Sequence, residues 1–557
     1  MDDAFVRAAQ DAATRGASET PVPPDGLPHR ELMRRAKVLV SVAVGVPDRA
    51  SADTLSLATE HVERLAELQG ESGLFECGDN VQSPPDSAFT INDACDVHHL
   101  LRNGPAETSP LRDALGAIIL KAAPALLSGG VHTPNHRWEL ASALARIHRS
   151  FPDSRLVERA EEWLAEGVDI DGDGFFSERS PNYATAVSIP SLLALAEILN
   201  RPELRVPVER NLELTLSLIG SDGSVETLPS RRQDQGTRFP LSRYLWAYRL
   251  LAVETGRPDF AWAAVLATAD GIDDPGLLTE LLLHPLLGET LPAERAPRRD
   301  ELAVHASTSL AVVRGERSEL VVYGGSDYPQ QRRIRSGLAV DPTFLRFLAG
   351  AAILDSVRLS RTFFGLGPFR ADGIRRGEDG SIELRERAVS GYYGPLSAER
   401  RHADGVYELA DEGRFSAAMS FADREMEEVA LTTSVVAHPC DGGVDLDVDL
   451  SGPPLGWTLE LGFRDGGVLD SPAPRPEDGA SVLTGATASY RVGGDAVHVE
   501  LVGLEPSADP ASYFPGEDYA FLSGTDAVGG VRLLIGGTTP ARFRMRLRAE
   551  RGTGAIA

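Results

Sequence analysis

The stretch GGVHTPNHRWELASALARIHRSFPDSRLVERAEEWLAEGVDIDGDGFFSERSPNY, residues Gly129–Tyr183, decides how the chain is read. Its middle carries apolar residues three and four apart, first in WELASALARI and then in RLVERAEEWLAEGV, which is the spacing of one buried helix face. A proline turn, FPD, separates the two runs. The stretch is therefore a helical hairpin, and its two ends, both polar and rich in His, Asn, Glu, Arg and Tyr, return to the same end of the structure.

Working outward, the same pattern repeats. Turns SGLF, GGVH, DGFF and DGSV place Gly73, Gly130, Gly174 and Gly223 at intervals of 57, 44 and 49 residues. Between them fall FPD, RPE and RPD, whose prolines Pro152, Pro202 and Pro258 are 50 and 56 apart. Two alternating turn types at a period near 50 describe stacked helical hairpins. Proline suits the first turn of a following helix, so the proline turns belong at one end and the glycine turns at the other. The glycine turns carry long polar extensions, and such loops sit where ligands bind. This favours a closed (α/α) toroid over a plain solenoid scaffold, spanning residues 31–292. Residues 1–30, containing PVPPDGLP, read as a loose N-terminal arm.

Beyond the proline-bearing linker PAERAPRRDE the pattern changes. Short alternating segments such as ELVVYGG, VDLDVDL, TLELGF and VHVELVG, separated by Gly and Asp turns, read as strands of an antiparallel β-sandwich over residues 300–557. One helical insertion is expected at Thr343–Asp355. The fold class is thus α+β and multidomain, a toroid of helical hairpins followed by a sandwich.

Composition excludes several functions. A net charge of −27 argues against nucleic acid as a partner. No apolar run approaches the about 20 residues that span a bilayer, and the acidic start MDDAFVRAAQ is unlike a signal peptide, so a cytoplasmic address is expected. Cys77, Cys95 and Cys440 form no CxxC pair, which points to free thiols rather than a disulfide framework or a zinc site. Only Lys37 and Lys121 are lysines, so arginine abundance is partly compositional. DIDGDG at Asp169–Gly174 resembles the opening of a calcium loop, but position twelve is Ser180 where a Glu is needed; a polar turn is the better reading, and no metal site is expected.

The polar residues after the glycine turns suit an acidic sugar. Removing the proton beside a uronic acid carboxylate requires donors that neutralise the carboxylate. It also needs a base for the C5 proton and an acid for the departing oxygen. Asn135, His136 and His132 on the second loop and Tyr183 on the third supply these groups. Asn135 also stands where it would cap the helix starting at His136. Gln82 and Asp86, Arg137, Glu178 and Arg179, and the run Arg231, Arg232, Gln233, Asp234 and Gln235 are candidate substrate-binding residues.

Asn135-His136 at a helix start, followed by E-x-S-x-x-Y (Glu178, Ser180, Tyr183) after a DG turn, resembles the heparinase II/III-like and alginate lyase group. The resemblance covers most of the chain in architecture but only these two motifs in residues. It implies Asn135 as carboxylate neutraliser, His136 as base or neutraliser, and Tyr183 as catalytic acid and possible base. The chain departs from the group at Gly324–Gly337, GGSDYPQQRRIRSG, where an H-x-H-x-D motif would stand. Arginines Arg332, Arg333 and Arg335 occupy that stretch; Arg333 is a candidate for an acidic group, and His402 on AERRHADG is the candidate replacement histidine.

The reading is β-elimination on a uronate-containing oligosaccharide, in a cleft on the glycine-turn face closed by the sandwich, with no cofactor. The expected partner is the acidic oligosaccharide itself, without nucleic acid or membrane; a homo-oligomer stays open. Two alternatives remain: a glycoside hydrolase pairing Glu178 with Asp86, Glu226 or Asp234, and a non-catalytic carbohydrate-binding protein.

Overall fold

The computed structural model describes residues 1–19, 24, 26–51, 53–76, 78, 80–104, 106–298, 301–332, 337–409, 418–470, 473–474, 479–507, 512–515 and 529–552. The chain divides into two compact units, Met1–Ser230 with Thr237–Arg299, and Arg231–Gly236 with Asp300–Ala557. Segment 231–236, read from sequence as part of the helical domain, belongs instead to the second unit.

The first unit is helical. Its helices are α1 (Asp3–Ser18), α2 (His29–Gly45), α3 (Thr54–Leu68), α4 (Pro84–Leu100), α5 (Ser109–Ser128), α6 (His136–Ser150) and α7 (Ser154–Leu164). There follow α8 (Pro181–Tyr183), α9 (Ile189–Ile198), α10 (Arg205–Leu218), α11 (Leu245–Thr255), α12 (Pro258–Leu266) and α13 (Leu277–Leu283). The hairpins alternate an inner helix with an outer one. Inner α6 buries residues all round, including His136, Trp138, Glu139, Leu140, Ala141 and Ser142. Outer α7 buries only the stripe Leu156, Ala160 and Leu164, four apart, as an amphipathic surface helix does. Inner helices α2, α4, α6 and α9 pack in succession, and α13 packs back on α1, α2 and α4, closing the toroid. The proline turns work as expected: Pro258 opens α12, and Asp153 caps α7 by accepting from Arg155 N–H at 3.0 Å. The glycine turns are equally specific. Gly73 has φ +86°, and a Cβ there would collide with the Lys121 carbonyl of α5.

The N-terminus is not a loose arm. Residues 3–18 form α1, capped by Asp2, which accepts from Phe5 N–H at 3.1 Å, and they bury Phe5, Ala9, Ala12 and Ala13. Arg249, itself buried, holds α1 in place by donating to Asp2 at 2.9 Å and stacking 3.7 Å over the Phe5 ring.

The second unit is a β-sandwich. Two short strands of the helical unit, β1 (Ser224–Val225) and β2 (Phe239–Pro240), precede it. Its own strands begin with β3 (Leu302–His305), β4 (Leu310–Arg314), β5 (Glu319–Tyr323), β6 (Leu345–Ala349), β7 (Ala352–Arg361), β8 (Ile374–Arg376) and β9 (Ile382–Tyr393). They continue with β10 (Met426–Cys440), β11 (Gly443–Ser451), β12 (Gly456–Phe463), β13 (Val468–Asp470), β14 (Ala473–Pro474), β15 (Ser481–Val482), β16 (Thr487–Val492), β17 (Asp495–Val502), β18 (Val531–Thr538) and β19 (Ala541–Glu550). One sheet has the order β13-β16-β17-β19-β11-β10-β9-β8 and the other β14-β15-β18-β12-β7-β6-β5-β4-β3. Pairing is antiparallel apart from the short parallel pair β15–β18. Alternation explains the packing. On β11, Val444, Leu446, Val448 and Leu450 enter the core, while Asp445 and Asp447 face outward to Arg548 and Arg544 of β19. The expected helix at Thr343–Asp355 is instead the β6–β7 hairpin, because Gly350 at φ +64° turns the chain within it.

Candidate active site

Asn135 and His136 stand at the start of α6, both buried. Asn135 has helical backbone angles and makes no side-chain cap, contrary to the sequence expectation. Its Oδ1 instead accepts from Thr133 Oγ1 at 2.7 Å, and its Nδ2 is buried with no hydrogen-bond partner among the described residues. A buried amide nitrogen left unpaired costs about 1–3 kcal/mol, so a group that accepts from it there would recover that cost. Exposed His132 meets His136 edge to face, ring centroids 4.8 Å apart.

The first glycine-turn loop brings α4 beside this pair. Phe89 lies edge-on to His136 at 6.3 Å, and a Cβ on Gly129 would reach the Pro84 ring at 2.6 Å. Ser83 caps α4 by accepting from Asp86 N–H. Asp86, a candidate ligand group, is paired with Arg30, whose guanidinium lies 3.9 Å over the Phe89 ring. Gln82 is exposed with φ +46°.

Arg30 and its neighbour His29, which fall within the 1–30 stretch expected to be a loose arm, are site residues that the sequence reading does not reach. They open α2 directly after Pro28, and a proline just before a helix start was the available signal. His29 Nδ1 is 2.6 Å from Thr90 Oγ1, and its ring stacks on Phe75 at 4.9 Å. Burial, reinforced by Arg30, lowers its pKa to about 4, so it is neutral at pH 7.

Tyr183 ends the third glycine-turn loop. Ser180 starts the turn, its Oγ accepting from Tyr183 N–H at 3.1 Å, and a π-helical turn, Ala184–Ser188, follows the tyrosine and leads into α9. Such turns are rare and frequently occur at functional sites. α6 packs against this turn, which brings the Asn135–His136 helix and the Tyr183 segment into adjacent positions. Tyr183 is half-buried and Glu178 buried. Arg179, at φ +53°, lines a small surface pocket with Phe175, Asn211, Thr215, Glu226 and Tyr244.

Other predicted site residues have internal partners. Arg137 pairs with Glu166 at 3.0 Å and Asp169 at 3.3 Å and lies over Trp138. Asp171 accepts at Oδ1 from the N–H groups of Asp173, Gly174 and Phe175, which makes the DIDGDG segment a self-satisfied turn. Among the described residues, no group of three or more His, Cys, Asp and Glu is placed to hold a metal ion.

In the second unit, Arg231 donates from two nitrogens to Asp327, each at 2.9 Å. Gln235 Oε1 accepts from the N–H groups of Val340 and Asp341 at 3.0 and 2.9 Å. Asp234 is buried, Arg232 is half-buried and Gln233 is exposed. His402 is exposed beside Tyr407, ring centroids 5.4 Å apart. Arg333 and Arg335 lie outside the described residues.

The sequence matches no protein-family model and no curated protein. Its fold does match solved structures. A Streptomyces coelicolor A3 chondroitin AC lyase, solved with chondroitin sulphate, superposes with a TM-score of 0.56 at 13% identity, over 99% of this chain and 80% of that one. The fold is that of the polysaccharide lyases. A heparinase III gives 0.51 at 11% identity, over 95% of this chain and 78% of that one. A Paenibacillus xanthan lyase gives 0.54 at 10% identity, over 99% of this chain and 57% of that one. Among the described residues, no helix of this lyase fold is long and apolar enough to cross a membrane.

Proposed function

We propose that the protein is a glycan lyase that cleaves a uronate-containing oligosaccharide by β-elimination at the glycine-turn face of its helical unit. The observation that carries this reading is the buried Nδ2 of Asn135, without a partner among the described residues, beside His136 on a lyase fold. Asn135 Nδ2 and His136 donate to the uronate carboxylate. Their donation draws charge onto the carboxylate as C5 loses its proton. A base, Tyr183 or His136, takes that proton; the electron pair forms the C4–C5 double bond and the C4–O bond breaks. Tyr183 then supplies the proton that the departing oxygen needs. No water is consumed, so product masses sum to that of the substrate.

Two of the carboxylates in the paired-carboxylate alternative are already engaged internally. Asp86 is tied to Arg30, and Glu226 Oε1 accepts from the N–H groups of Thr227 and Leu228 at 2.7 and 2.8 Å. Incubation with a panel of uronate oligosaccharides tests the reading. The expected result is ultraviolet absorbance from a conjugated alkene with mass-conserving products. Products heavier by one water in total, without absorbance, would overturn it in favour of hydrolysis.

A further inference from the structure

Beneath the site lies a buried carboxyl that no step of the elimination uses. Glu139 is one helical turn after Asn135 and His136, and it is 4% exposed. Asn92 of α4 donates through Nδ2 to its Oε1 at 2.6 Å and to its backbone carbonyl at 3.1 Å. Ser191 of α9 donates through Oγ to its Oε2 at 3.1 Å. Its own N–H donates to the Asn135 carbonyl at 3.2 Å. Each partner belongs to a helix whose start serves the site. Asn92 is one turn after Phe89, and Ser191 follows the π-helical turn, Ala184–Ser188, that succeeds Tyr183.

We infer that Glu139 is a positioning residue: one buried carboxyl that fastens α4, α6 and α9 together and so fixes Asn135–His136 relative to Tyr183. The inference deepens the lyase reading and rests on it for the meaning of the site, though the fastening itself needs no substrate.

The surrounding charges single this carboxyl out. Lys37 of α2 pairs with Asp93 at 2.8 Å, Glu280 of α13 at 3.6 Å and Asp96 at 3.9 Å. Arg146 and Arg149 of α6 pair with Asp96 at 2.9 and 3.0 Å. Three cations thus face three carboxylates. The chain of contacts reaches Glu139 through Arg146, which donates to Asn92 Oδ1 at 3.2 Å. An ionised Glu139 is a further negative charge in this balanced cluster, and burial raises its pKa to about 7 against the pull of Asn92 and Arg146. When ionised it accepts from Ser191; when protonated it can donate to the same hydroxyl. α4 and α6 therefore stay fastened in both states, while the bond to α9 reverses direction.

Hydrogen exchange on the intact chain tests this without a substrate. Glu139→Ala is expected to raise amide exchange about tenfold at the starts of α6 and α9. The β10–β11 hairpin should stay unchanged. Glu139→Gln, which keeps an acceptor for Asn92, is expected to stay within about threefold of wild type. Where Glu139→Ala does not fold, Ser191→Ala gives the same reading, with faster exchange confined to the starts of α6 and α9. Unchanged exchange at those amides in a folded variant overturns the inference.

On a uronate substrate, Glu139→Ala is expected to lower kcat about tenfold or more with KM within threefold, and Glu139→Gln to restore it and flatten the pH profile near 7. A wild-type enzyme with turnover and an unimpaired Glu139→Ala overturns the inference and leaves the lyase reading standing. Faster exchange in a protein whose wild type turns over no uronate supports the inference and removes the lyase reading alone.

Discussion

The turn leading into α6, Thr133–Arg137, and the segment Arg231–Gln235 look alike in sequence: short, polar, each with a side-chain amide within two residues of an arginine. Their side chains have opposite fates. In the first, Asn135 Nδ2 is buried without a partner among the described residues. In the second, Arg231 is spent on Asp327, and Gln235 accepts from two backbone N–H groups while its Nε2 donates to the Arg232 carbonyl at 3.2 Å. Buried polar groups are nearly always satisfied. The Asn135 amide therefore has something to gain from a ligand, whereas the second segment, with Arg231 and Gln235 satisfied internally, builds the sandwich unit. Composition alone does not separate the two.

The strongest way to break this contrast is to mutate the first region and find nothing. Tyr183→Phe is expected to lower kcat by about a thousandfold or more, since one hydroxyl serves the departing oxygen and can also serve C5. Its unfolding midpoint should stay within about 0.5 kcal/mol of wild type, because the ring keeps its place. Asn135→Ala is expected to cost about a hundredfold in kcat/KM, the usual effect of losing one donor to a developing charge. Folding should suffer little: the substitution removes one hydrogen bond, from Thr133 Oγ1 to Oδ1, worth about 1 kcal/mol, and among the described residues Nδ2 has no partner to lose. A hundredfold loss with unchanged stability marks a ligand-directed amide; a stability loss with normal turnover would turn Asn135 into an ordinary structural residue.

Glu139 sharpens the contrast through pH. A glutamate outside a folded core titrates near 4.5, and burial raises this one to about 7. The native state thus holds the proton more tightly than the unfolded chain. Stability from this group is therefore intact below about pH 4.5 and falls as pH rises towards 7. The loss levels off above that, at about 3 kcal/mol in total. Urea midpoints at pH 5 and pH 8 should differ more in wild type than in Glu139→Gln, which has no proton to lose. An equal pH dependence in the two proteins would remove Glu139 as the titrating group.

For the second region the expectation reverses. Asp327→Asn, which weakens the two-nitrogen grip of Arg231, is expected to cost about 2 kcal/mol of stability, the pair being only partly screened by water. Substrate KM should not change. A raised KM with normal stability would show that Arg231 meets the substrate after all, as its composition suggested.

How much could be read beforehand follows from the same physics. The hairpin repeats were legible because glycine and proline turns have steric causes: Gly73 cannot carry a side chain against Lys121, and Pro258 suits a first helical turn. α1 was not legible because its buried face is mostly alanine, Ala9, Ala12 and Ala13, which gives little periodic contrast in an otherwise polar segment. TFLRFLAGAAILD misled because a short apolar run has no period that separates a helix from two buried strands. His29 and Arg30 were lost with the arm that was thought to hold them. Asn135-His136 and Tyr183 were readable as candidate residues, because their types and spacing suit the proposed chemistry. Whether a given polar group is satisfied was not, because that depends on contacts such as Arg231 to Asp327, ninety-six positions apart.

The smallest expected effect concerns Asp169–Gly174, whose sequence resembles the opening of a calcium loop but reads better as a polar turn. In the fold it resembles the satisfied segment. Asp171 Oδ1 accepts three backbone N–H groups, and Asp169 accepts from Trp138 Nε1 at 2.9 Å and from Ser177. A calcium ion would have to displace those donors, and the loop has Ser180 at the place of the bidentate acid. Adding calcium should therefore leave the unfolding midpoint unchanged. Asp171→Ala, by contrast, should lower stability by about 1 kcal/mol through the lost amide bonds. A calcium-dependent rise in the midpoint, abolished by Asp171→Ala, would show that internal satisfaction does not exclude a ligand here. It would also weaken the argument that sets Asn135 apart.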